Sequence, residues 1–131
     1  MEYLDKRTLY TRQNLLEDRR EVSIEEYYKV YGSRIIQQSE RLFLEEFLYP
    51  ILGKKNIKYV IPQYPFIDSE GKLRRIDFAI IKDDVKIALE VNGETYHAEG
   101  MIPNDRVDFT KIFIQSITRD KMEEKSKRFI T

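Results

Sequence analysis

Three acidic residues stand where acids are uncommon. Asp77 and Glu90 fall inside "RRIDFAIIKDDVKIALEVNGETYH", residues 74–97, which reads as two apolar strands joined by a turn. If Asp83 and Asp84 form a two-residue turn, Ile80 faces Ile87, Phe78 faces Leu89, Ile76 faces Val91, and Asp77 lies directly opposite Glu90. Opposed side chains have Cβ atoms about 5 Å apart, where like charges repel. This register makes one face (Ile76, Phe78, Ile80, Ile87, Leu89, Val91) wholly apolar. The other face presents the two acids beyond a floor of Ala79 and Ala88. A slip of one residue would destroy both features. The plainer alternative is two solvated carboxylates, paired with Arg75 or Lys86. The chemical alternative is a divalent cation that turns their repulsion into ligation.

A third acid lies upstream, in a helix read over about 33–52. With Glu40 set at zero on a helical wheel, Ile36, Phe43, Leu44, Phe47, Leu48 and Ile51 fall within about 80° of it. Glu45 and Glu46 point outward. A carboxylate in the middle of an apolar stripe requires a partner. An ion pair with Arg74 would suffice; so would a shared oxygen-rich metal site with Asp77 and Glu90.

The rest of the chain must bring these acids together. "LLEDRRE" (15–21) reads as helical. Ser23 and Glu26 in "SIEE" spell a capping box opening a helix that Gly32 ends. Pro50 should distort the last turn of the next helix, before Gly53. "YVIPQYPFI" reads as an edge strand or one with irregular pairing, because Pro62 and Pro65 cannot donate to a ladder. "DSEG" (68–71) turns into strand 73–81, "KDD" turns into strand 85–92, and 105–131 reads as helical. The expectation is an α+β fold: N-terminal helices, a three-stranded antiparallel meander and C-terminal helices.

The 131 residues suffice for one domain. Its parts are a helical extension (1–32), a core (33–115) and a helical tail (116–131). Lys plus Arg and Asp plus Glu number 23 each, which argues against a wholesale polyelectrolyte binder but allows local basic patches. With no Cys and one His, thiolate and multi-histidine zinc sites are excluded, so a bound metal would take oxygen ligands: Mg²⁺, Mn²⁺ or Ca²⁺. There is no bilayer-length apolar run and no signal-type N-terminus. A cytoplasmic domain without a membrane partner is expected.

The series Glu40 in "SERLF", "RIDF", "EVNG" and "YH" resembles the PD-(D/E)XK nuclease superfamily, in the branch of very-short-patch-repair-type endonucleases, over about 36–115. The resemblance implies a restriction-endonuclease-like core and a Mg²⁺-dependent endodeoxyribonuclease, with Mn²⁺ as a substitute and DNA as the partner. It implies Asp77 and Glu90 as metal ligands, Glu40 as a helix-borne acid near the metal and the Val91 carbonyl as a further ligand. Asn92 stands where the superfamily motif has Lys. His97 matches a histidine of this branch, and its ordinary pKa of about 6.5 suits a general base; a lone His beside Tyr96 is otherwise a common turn residue. Arg74, Arg75, Arg106 and Lys111 would form a basic rim for phosphates, with Lys54, Lys55 and Lys58 nearby. The terminal strand of relatives is not legible here; it is either missing or supplied by a partner in a homodimer. A catalytically weak nucleic-acid-binding or oligomerisation module is the alternative.

Overall fold

The computed structural model describes residues 5–68, 70–83 and 85–91, together with the backbone of 110–113. In chain order these form α1 (Lys6–Tyr10), α2 (Ile24–Tyr31), α3 (Gln38–Phe43), a π-helical turn (Leu44–Leu48), α4 (Tyr49–Asn56), β1 (Val60–Ile67), β2 (Leu73–Lys82), β3 (Val85–Glu90) and β4 (Thr110–Phe113). The α+β class is as expected. The four strands make one sheet in the order β1-β2-β3-β4, the first three antiparallel.

Local chemistry sets the helices. The Ser23 side chain accepts from the Glu26 amide while Glu26 accepts from the Ser23 amide, the reciprocal box that starts α2. "LLEDRRE" is not helical: it forms turns, with the Asn14 side chain accepting from the Leu16 amide and Leu16 buried as an anchor. A local Asn bond of this kind competes with helix formation. The next helix begins at Gln38, not Ser33, because the chain first makes a 3₁₀ turn and exposes Ile36 at 80%. From α3 the chain stays helical through the wide turn, whose Tyr49 N–H reaches back to the Leu44 carbonyl. Pro50 explains the widening. Its missing N–H and its ring conflict with a regular i−4 bond, and the i−5 pattern relieves the clash. Gly53, at φ 74, then breaks the helix in a conformation that costs glycine little.

The sheet packs one face on these helices. Phe43, Leu44, Phe47 and Leu48 join Tyr27, Tyr31, Ile57, Val60, Phe78, Ile80, Leu89 and Val91 in the main core. The Phe43 and Phe47 rings stack at 4.7 Å, and Phe43 meets Phe78 at 5.9 Å. Tyr27 keeps its hydroxyl satisfied at the sheet, donating to the Val60 carbonyl at 2.8 Å. Ile61, Tyr64, Phe66, Ile76, Ala79 and Ala88 form a second cluster. Ile76 therefore departs from the face expected for it, packing apart from Phe78 and Ile80.

Among the described residues β1 lies at the edge of the sheet, a place its prolines suit. β4 was not expected. It pairs parallel with β3, Ile87 to Thr110 through Glu90 to Phe113, so residues 110–113 are strand rather than helix. The sheet thus has a fourth strand from its own chain, and the expectation of a missing or partner-supplied strand does not hold. A parallel pair requires a long crossover, and residues 91–109 supply the length. The helical expectation for the tail, 116–131, lies outside the described residues.

Candidate functional site

The β2–β3 hairpin has the expected register. Lys82 pairs with Val85, Ile80 with Ile87 and Phe78 with Leu89, across a turn in which Asp83 takes φ 54. At the next step, where Asp77 and Glu90 follow, the regular ladder gives way. The Val91 amide donates instead to Asp77 Oδ2, at 2.8 Å. On the other side of β2 the ladder is interrupted at the same place. Pro62 pairs with Phe78 and Tyr64 with Ile76, while Gln63, at φ 55, stands across from Asp77 between them. Asp77 thus occupies a gap in the pairing on both flanks. A left-handed conformation for a residue other than glycine costs about 1–3 kcal/mol, and such residues cluster at functional sites.

Glu40, on the first turn of α3, is 4% exposed. Gln63 Nε2 donates to its Oε1 at 3.3 Å. Burial, followed by the negative charge of Asp77, raises the Glu40 pKa to about 7; the Gln63 bond opposes the rise. Glu40 and Asp77, far apart in sequence, are therefore within electrostatic reach. Glu90 closes β3 at 3% exposure, one residue before the amide that Asp77 holds. All three predicted acids are buried, on α3, β2 and β3.

Among the described residues, no three His, Cys, Asp or Glu side chains gather closely enough to hold a metal ion as a set. Asn92, His97 and Arg106 lie outside the described residues, as does the Lys111 side chain. Val91 is wholly buried and takes part through its N–H. The donors these acids offer are oxygen atoms alone, the type a hard divalent cation would require.

The basic residues are less uniform than expected. The Arg74 guanidinium meets Asp68 at 2.9 Å, and Asp68 also accepts from the Glu70 and Lys72 amides. These bonds hold the Asp68 carboxyl below the usual carboxylate range. Arg74 thus braces the β1–β2 turn, whereas Arg75 is exposed. A basic groove of about 750 Å³ lies elsewhere, lined by Arg20, Glu21, Lys55, Asn56, Lys58 and Tyr59. Lys58 and Lys82 bring their ammonium groups to 5.4 and 5.1 Å from the Tyr59 ring centre. Tyr59 ends the 3₁₀ turn that leads into β1, four residues before Gln63.

Sequence reasoning missed Gln63, the place of Tyr59 in this groove and the approach of Lys82 to the Tyr59 ring. The flanking prolines were a sign of irregular pairing, but nothing in the residue type announces a left-handed glutamine. Compared with protein-family models, curated proteins and solved structures, the chain matches none.

Proposed function

We propose that this chain is a metal-dependent endonuclease that hydrolyses DNA phosphodiester bonds. The observation that carries the reading is the coupling of Glu40 to Asp77, two buried acids from different elements, with Glu90 adjoining the amide anchored on Asp77. A charge pair of this kind is costly in a fold unless something of opposite charge uses it. The resemblance of "RIDF", "EVNG" and "YH" to PD-(D/E)XK nucleases supports the same reading, as does a fourth strand after the His97 segment.

In this reading Asp77, Glu90 and the Val91 carbonyl would hold Mg²⁺ or Mn²⁺, and Glu40 would act through a water rather than as a direct ligand. The ion supplies a more acidic water and charge neutralisation at the phosphate. Asp77 keeps the exit of β3 in place through the Val91 amide, which fixes Glu90 beside it. Glu40 orients a water by accepting its hydrogen bond. His97 takes the proton of the attacking water, and Asn92 contributes a neutral amide where the superfamily motif has a cation. Arg75, Arg106, Lys111 and the groove at Lys58 and Tyr59 position the phosphate backbone; a cut through both strands would call on two copies of the chain.

The test is nicking of supercoiled plasmid with Mg²⁺ or Mn²⁺. Wild type is expected to nick, and Asp77→Ala and Glu90→Ala to lose at least 100-fold. Activity untouched by both substitutions rejects the site. The alternative, a nucleic-acid-binding module without catalysis, is favoured by the lack of a three-ligand set among the described residues. Tight DNA binding with no cleavage under any metal or pH would establish it.

A further inference from the structure

Gln63 is the residue this fold has most reason to reject. Its φ of 55 lies where glycine and asparagine are at ease and glutamine is not. It stands between Pro62 and Pro65 in an edge strand, at the step where the β1–β2 ladder skips Asp77. If the bend alone mattered, glycine would serve it better. What glutamine adds is a side chain long enough to reach Glu40 Oε1.

The kind of donor matters too. An Arg or Lys at this point would itself neutralise Glu40, forming a closed ion pair. A carboxamide orients the acid through a hydrogen bond and leaves its charge available to a cation. We propose that Gln63 is a positioning residue, whose strained backbone delivers a neutral donor that holds Glu40 within reach of Asp77 for joint use by a divalent cation. The role rests on the metal reading above and names how that site is prepared.

The experiment uses the full chain and Mn²⁺ alone, by titration calorimetry, with Gln63→Gly and Gln63→Asn beside wild type. Both variants suit the left-handed backbone, and neither reaches Glu40. The expected result is Mn²⁺ affinity about tenfold weaker in both, the scale of losing a hydrogen bond to a charged group. Thermal midpoints should stay at or above that of wild type, and nicking should lose kcat with KM for DNA unchanged. Unchanged affinity and kcat in either folded variant overturn the role. So does a fall in melting temperature with Mn²⁺ binding intact, since Gln63 would then serve only the fold. A wild-type chain that takes up no Mn²⁺ brings down the metal reading itself, a result seen without any substitution.

Discussion

Replacing Glu40 by Gln should stabilise the protein in a pH-dependent way. The folded carboxyl titrates near 7 against an ordinary value of 4.5, because burial and Asp77 disfavour its charge. A folded pKa above the unfolded one means that the native state binds more protons between those values. Stability is therefore fullest below about 4.5 and is lost as pH rises toward and through 7. At about 1.36 kcal/mol per pH unit, the interval corresponds to up to about 3 kcal/mol. Glu40→Gln removes that cost while keeping the shape and an oxygen for the Gln63 amide. Urea unfolding without metal should show the variant more stable by about 2–3 kcal/mol at pH 8, and by little at pH 4.5. Millimolar Mn²⁺ should shrink the pH 8 gain, because the cation would do for the wild type what the substitution does. An equal effect at both pH values, or a variant destabilised at pH 8, refutes the reasoning.

Two further outcomes follow from the packing and the charged groove. Phe43→Ala empties the contact between the helices and Phe78 and should cost about 3–5 kcal/mol in urea unfolding; a loss under 1 kcal/mol would show that the ring is not central to the core. Lys58→Glu combined with Lys82→Glu should weaken binding of duplex DNA in EDTA and lower the slope of log K against log salt by about 2. An unchanged slope would place the phosphates elsewhere.

The hairpin was legible because its information is local and redundant. Facing apolar residues, the two alanines and the Asp-Asp turn all demand one register, and the structure has it. The same holds for the capping box at Ser23 and the edge position forced by Pro62 and Pro65. Glu40 was found from its place in an apolar stripe, although the helix starts later than expected and widens before Pro50. What failed depended on partners distant in sequence. "TKIF" is too short for its period to separate strand from helix, and β3 supplies the partner that decides. Leu16 trades helix formation for burial, which the pattern of "LLEDRRE" cannot reveal. Ile76 changes cluster beside the interruption at Gln63 and Asp77, a departure that simple alternation does not foresee.

The outer rim of the sheet has a consequence for how two chains could meet. β1 lacks amide hydrogens at Pro62 and Pro65 and turns its backbone aside at Gln63. Such a border offers a newcomer few donors and no straight run to zip against. Copies of this protein should not fuse their sheets through β1. An assembly able to sever both strands of a duplex would be built across some other surface.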